Sequence, residues 1–122
     1  MRKNPLRSLT KKRDFDLVFK EGFNKPSKYL VIYARLNELT FNRLGLAVSK
    51  KLGKAVTRNR IKRLLREAMR KVLEETPLHY DFVMIARKPS AEGALADFIQ
   101  DIKKFLSRLF NEKNSHIADK TI

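Results

Sequence analysis

The chain contains no cysteine. Disulfides and thiolate metal centres are therefore excluded, and the absence fits a reducing compartment. Histidine is scarce as well. His79 and His116 stand alone, with no second ligand three or four residues away, so zinc-type spacing is missing. No stretch approaches the roughly 18 apolar residues of a membrane span. The basic opening MRKNPLRSL is followed by no apolar run of signal-peptide length. A nucleophile elbow, a P-loop and a dinucleotide glycine pattern are all absent. Asp14, Asp16, Asp97 and Asp101 sit at helical spacings that suit solvated faces. No catalytic protein constellation is left to name, and the expectation is a cytoplasmic protein with no membrane association.

Acids are few beside the bases: 13 Asp and Glu against 28 Lys and Arg, a net charge of +15. The excess sits in two blocks. Residues 1–13 carry six bases (Arg2, Lys3, Arg7, Lys11, Lys12, Arg13) and no acid. Residues 50–71, KKLGKAVTRNRIKRLLREAMRK, carry ten bases against Glu67 alone. The other 87 residues balance twelve bases with twelve acids. Ordinary solubilising surfaces intersperse the two signs, so two like-signed blocks on a neutral remainder point to a polyanion.

A chain of 122 residues, 43% hydrophobic, fits one domain with one core. Residues 1–9 read as a loose basic arm, about 10–110 as the globular core, and 111–122 as a flexible polar tail. Lys11 to Glu21 reads as a short helix with Thr10 as candidate N-cap and Gly22 as its stop. Gly22 to Lys28 is a connector with room for a short extended piece. Tyr29 to Asn37 alternates with period two: Leu30, Ile32, Ala34 and Leu36 face a core, while Tyr29, Val31, Tyr33 and Arg35 face the other way. Arg43 to Ser49 forms a second strand, with Leu44, Leu46 and Val48 on one side and the small Gly45, Ala47 and Ser49 on the other. The short connection predicts an antiparallel hairpin between these two strands, leaving room over the small residues. After the basic loop Lys50–Val56, Thr57 is a candidate N-cap for a helix whose apolar stripe is Ile61, Leu64, Leu65, Ala68, Met69, Val72 and Leu73. DFVMIAR (Asp81–Arg87) is a nearly continuous apolar run, expected of a strand buried on both faces. Lys88-Pro89 ends it, Ser90 is a candidate cap, and Leu95, Phe98, Ile99, Ile102, Phe105, Leu106 and Leu109 mark a last helix. The order is α-β-β-α-β-α, an α+β sandwich.

The basic helix carries the chemistry. At about 100° per residue, Asn59, Arg63, Arg66 and Arg70 fall within roughly 60° of one another, opposite the apolar stripe. Arg58 and Arg60 near its start, and Glu74 and Glu75 at its expected end, oppose the helix dipole at both termini, where each favourable charge is worth about 0.3–1 kcal/mol. Arginine's planar fork bonds two phosphate oxygens at once. Phe15, Phe19, Tyr29 and Tyr33 admit two readings: core packing, or a platform on which unpaired bases stack at about 1–3 kcal/mol each.

The string AVSKKLGKAVTRNRIKRLLREAMR (Ala47–Arg70), with Arg58-Asn59-Arg60 inside it, resembles the arginine-rich signature of the bacterial ribonuclease P protein subunit family. LTKKRDFDLVFKEG (Leu9–Gly22), RLGLAVSKK (Arg43–Lys51) and DFVMIARKP (Asp81–Pro89) extend the resemblance over roughly residues 8–110. It implies the small subunit of a ribonucleoprotein endonuclease that removes 5′ leaders from precursor tRNA. Catalysis would then be phosphodiester hydrolysis by the RNA, with Mg2+ held mainly by that RNA and none held with certainty by protein side chains. The implied partners are the catalytic RNA and precursor tRNA, with no obligate protein partner. By position, Lys50, Lys51, Lys54, Arg58, Asn59, Arg60, Lys62, Arg63 and Arg66 would contact the catalytic RNA. Arg13, Phe15, Phe19, Val31, Tyr33 and Arg35 would form a cleft for the single-stranded leader. The implied fold is ribosomal protein S5 domain 2-like, with a left-handed βαβ crossover where general rules favour a right-handed one. Two rivals remain open from the residues alone: a general RNA- or DNA-binding module, and a self-sufficient nuclease.

Overall fold

The apolar run after residue 80 occupies the middle of a sheet, and the other elements are arranged around it. A computed structural model describes residues 6–73 and 79–121, from 112 onward as backbone alone. The chain runs β1 (Leu6–Ser8), α1 (Lys12–Glu21), β2 (Phe23–Pro26), β3 (Leu30–Leu36), β4 (Asn42–Ala47), α2 (Ala55–Val72), β5 (Tyr80–Ala86) and α3 (Leu95–Thr121). Short 3-10 segments occupy Lys50–Leu52 and Lys88–Glu92. The five strands lie in the order β1-β4-β5-β3-β2. β5 pairs parallel with β4 and antiparallel with β3, while β1 runs parallel to β4 and β2 antiparallel to β3.

The sheet separates two cores. Leu30, Ile32 and Ala34 of β3, Leu44 of β4, and Phe82 and Met84 of β5 join Ile61, Leu65, Met69, Phe98 and Ile102 in the main core, shared with α2 and α3. On the reverse face, Val83 meets Val18 of α1 and Leu9, with Phe15 and Tyr33 half-buried at its margin. A ten-residue helix has no stability of its own in water, so α1 depends on this small cluster and on its ion pairs.

The architecture is α+β, with corrections to the expected plan. β3 and β4 form no hairpin, because β5 lies between them. β5 buries apolar side chains on both faces, whereas β4 offers the α1 side only Arg43 and the small Gly45 and Ala47, so the central place hides more apolar surface when β5 fills it. Polar stitches hold the arrangement: Tyr80 N donates to Asn42 Oδ1 at 2.7 Å, and Asn37 Nδ2 to Asp81 Oδ1 at 2.9 Å. Part of the supposedly loose arm, Leu6–Ser8, is an edge strand. Three residues are too few to show a period; the open edge of β4 supplies their partner. The order is therefore β-α-β-β-β-α-β-α.

Helix boundaries shift too. Lys11, not Thr10, is the N-cap of α1. α2 starts at Ala55, with Lys54 rather than Thr57 as its N-cap, because Gly53 makes the entering turn at φ 138°. That backbone conformation favours glycine. α2 ends at Val72, so its last turn holds Arg70 and Lys71, which suit the dipole. Glu74 and Glu75 lie outside the described residues, and only the acid-free first turn of the reversed-dipole argument stands. Ser90 sits buried in the second 3-10 segment, donating to Arg87 O, while Asp97 Oδ2 accepts from Ala94 N at the start of α3. α3 continues through the expected tail to Thr121, since no Gly or Pro interrupts residues 94–121.

The room over Gly45 is filled from within. A Cβ on Gly45 would stand 2.8 Å from Phe15 Cε2, because the Phe15 ring lies directly on β4. Gly45→Ala is expected to push this ring off the sheet and to destabilise the protein by about 1–3 kcal/mol, the usual range for overpacking. Thermal denaturation monitored by circular dichroism checks it; an unchanged midpoint would contradict the close packing.

Candidate nucleic-acid interface

Burial of Ile61, Leu65, Ala68 and Met69 fixes the roll of α2. Asn59, Arg63, Arg66 and Arg70 are consequently exposed, and Lys50, Lys51 and Lys54 are exposed on the approach. Among the described residues no acid pairs with any of these bases, so their charge is available to an outside anion. Two arginines are partly committed. Arg58 Nε donates to Gly53 O at 3.1 Å, and Arg60 Nη2 reaches Gly93 O at 2.9 Å. Both brace the turns around α2 as well as adding charge.

Arg7 of the first basic block meets the second block in space, although more than thirty residues separate the two blocks in sequence. β1 lies beside β4, at the edge nearest α2, and places Arg7 at a small groove shared with Arg66 and Arg70. Where β1 stops, a notch of about 240 Å³ opens, with Ser8 and Thr10 on one side, Lys62 and Arg66 on the other, and Phe15 at its wall. One basic surface results, and it abuts α1.

On the reverse face of the sheet, α1 and β3 present a partly exposed aromatic surface. Phe19 is 40% exposed, and its ring meets Tyr33 edge-on at 5.0 Å between centroids. Phe15 lies 6.3 Å from Phe19 and is half-buried. Val31 and Arg35 flank Tyr33 on the same strand face. The Arg35 Nε donates to Glu21 Oε1 at 2.8 Å, leaving its terminal nitrogens without a protein partner among the described residues. Arg13 is exposed in the first turn of α1. The aromatic ambiguity thus divides: Phe15 is mainly packing, whereas Phe19 and Tyr33 keep an accessible edge. Tyr29 leaves this face altogether. It precedes the first β3 residue, escapes the alternation, and stacks edge-on against Phe98 of α3 at 5.7 Å.

α1 is tied to the sheet by a network that the spacing of acids does not reveal. Asp81 is buried and accepts from Arg43 Nε at 2.8 Å and from Nη2 at 2.6 Å. Arg43 Nη1 reaches Asp14 of α1 at 3.4 Å. Hydrogen bonding to Asp81 holds the Arg43 guanidinium above its usual pKa, against the opposing pull of burial. One arginine therefore ties α1 to the two central strands, and Asp14 is no idle surface acid. Burial likewise pushes the Tyr80 hydroxyl up.

A family model for ribonuclease P matches residues 4–110. The ribonuclease P protein component of Clostridioides difficile is 42% identical over 106 residues, covering 86% of this chain and 93% of that protein. That of Thermotoga maritima is 41% identical over 99 residues, 80% and 85% of the two chains. Solved structures of the Staphylococcus aureus and Thermotoga maritima RNase P proteins superpose with TM-scores of 0.73 at 35% identity, each covering 84% of this chain and 94% and 96% of theirs.

The chain belongs to the ribonuclease P protein family.

Membership makes it a tRNA-processing protein and a component of a ribonucleoprotein endoribonuclease. Of the residues expected at the catalytic RNA, Asn59, Arg63 and Arg66 share the exposed face of α2 and Lys50, Lys51 and Lys54 its approach, while Arg58 braces Gly53, Lys62 borders the β1 notch and Arg60 turns to Gly93 at the other margin. Of the expected leader set, Val31, Tyr33 and Arg35 share one face of β3, Phe19 of α1 meets Tyr33, Phe15 packs over Gly45, and Arg13 stands near the amino-terminal end of α1. Arg7 joins the basic surface unexpectedly; its signal in the sequence was charge alone, which does not reveal strand pairing, while Arg70 stands on the face that helical spacing gave it. Among the described residues no three His, Asp or Glu side chains gather as a metal set, and no helix is long and apolar enough to cross a membrane.

Proposed function

We propose that the protein docks on the catalytic RNA of ribonuclease P through the merged basic surface and holds the single-stranded 5′ leader of precursor tRNA against the aromatic surface of α1 and β3. The observation that carries this reading is the juxtaposition of an unpaired basic surface with the half-open Phe19–Tyr33 pair around the shared wall of Phe15. Phosphates on α2 need fixed bidentate donors, and Arg63 and Arg66 are exposed for that purpose. Bases on that surface gain by stacking, which tolerates any sequence because every base has a π-face. Hydrolysis itself is assigned to the RNA, which would hold the Mg2+ it uses, while the protein's side chains bind and orient. The cytoplasm, where precursor tRNA is matured in bacteria, is the proposed site of action.

The test uses protein reconstituted with its cognate RNA. Tyr33→Ala and Phe19→Ala are each expected to weaken binding of precursor tRNA by about fivefold to a hundredfold, as stacking of one base implies. Binding of mature tRNA should not change. Equal losses for both tRNA forms would sink the leader assignment, and cleavage by RNA-free protein would overturn the division of labour.

A further inference from the structure

On the far edge of the sheet from α2, the β2–β3 hairpin and α3 enclose an open cleft of about 590 Å³. Lys25 and Lys28 reach it from the hairpin, and Lys104 and Arg108 from successive turns of α3. None of the four pairs with an acid among the described residues. The one acid in the lining, Asp101, is already committed: its Oδ2 accepts from Ser27 Oγ at 2.6 Å and from Tyr29 N at 3.2 Å. Lys25 and Lys28 are also steered by the faces of Phe23 and Tyr29, at 5.8 and 5.3 Å. The two sequence-wide basic blocks contain none of these residues. This is a third basic site, built by the fold from a part of the chain that is neutral on balance.

We propose that this cleft takes the sugar–phosphate backbone of a long 5′ leader after it leaves the aromatic surface. Its position favours that occupant over the catalytic RNA. Val31 shares the strand face of Tyr33 and its neighbour Ile32 lines the cleft, so the aromatic surface and the cleft lie on opposite faces of the same stretch of β3. Only the edge strand β2, about 5 Å across, separates them at the sheet margin. A single strand passing Val31 can therefore turn over Pro26 and meet four cations. The merged basic surface, by contrast, borders the opposite edge. An open cleft with cations on its rim and serines on its wall suits a chain of phosphates better than an enclosed small molecule.

The inference rests on the leader reading above, and the experiment separates the two. Holoenzyme affinity is measured for mature tRNA and for precursors with leaders of about five and about fifteen nucleotides, lengths that bracket typical single-strand site sizes. The long leader should bind more tightly than the short one, with a log–log salt slope steeper by about 2 for three added phosphates at roughly 0.7 each. The double variant Lys104→Glu/Arg108→Glu should abolish that added affinity and slope, leaving short-leader and mature tRNA binding unchanged. Because those side chains are exposed, folding should survive, and Lys25→Ala/Lys28→Ala should remove most of the same increment. If the long leader gains nothing in the wild-type holoenzyme, or keeps its gain in both variants, the proposal is overturned. Equal weakening of all three ligands by the variants would also overturn it, marking the cleft as a contact for the catalytic RNA. Absence of any preference for the short leader over mature tRNA would instead defeat the leader reading itself.

Discussion

Arg43→Ala is expected to lower the unfolding free energy by about 3 kcal/mol, the size seen when one partner of a buried pair is removed. Asp81 would be left buried with Asn37 Nδ2 as its remaining side-chain donor. A quarter of the Arg43 side chain is exposed, so water would soften the loss and the figure sits at the low end of that range. For a domain of this size the change corresponds to a fall of about 10 °C in the melting midpoint. The same substitution cuts the Asp14 tie to α1, so the leader preference should weaken even at temperatures where the protein remains folded. In an Asp81→Asn background, Arg43→Ala should cost much less, with a coupling of at least about 1 kcal/mol between the two sites. Additive effects would show that Arg43 and Asp81 act independently and would remove the network from the account of the aromatic surface.

The second large effect concerns the basic surface. Arg63→Ala/Arg66→Ala should weaken binding to the catalytic RNA by about a hundredfold at low salt, since each charge-assisted contact is worth roughly 1.5–3 kcal/mol and part is recovered by neighbouring bases. The log–log dependence of affinity on salt should flatten by about 2, one for each phosphate left without its arginine. Both side chains are exposed on α2, so the melting temperature should hold. Weaker affinity with an unchanged slope would mean that these arginines position the helix rather than meet phosphate. Filter binding over a range of salt separates the outcomes.

Arg43 shows why some of this could not be read from the sequence. It stands directly across from Asp81 on the neighbouring strand, yet 38 residues away in the chain. No periodicity spans such a distance. The same applies to the third basic cleft, whose cations come from β2, the β2–β3 turn and α3. The α2 face, in contrast, was legible because all its members lie within one helix, where a 100° step ties position to direction. Tyr29 marks the limit of that logic: one residue outside the strand, alternation no longer says where a side chain points.

The amino-acid sequence by itself determined the three inner strands of the sheet, the apolar stripe and basic face of α2, the polyanionic character of the partner and, through the Ala47–Arg70 string, the family. These are properties of contiguous residues, where spacing and composition are physics enough. Only the tertiary structure decided that β5 separates β3 from β4, that Arg7 joins the bases of α2, and that Phe15 fills the space over Gly45 while Phe19 and Tyr33 keep an accessible edge. Each depends on which segment gains most by hiding both its faces. That competition is settled among all the strands together, because burying one changes the surface left for the rest.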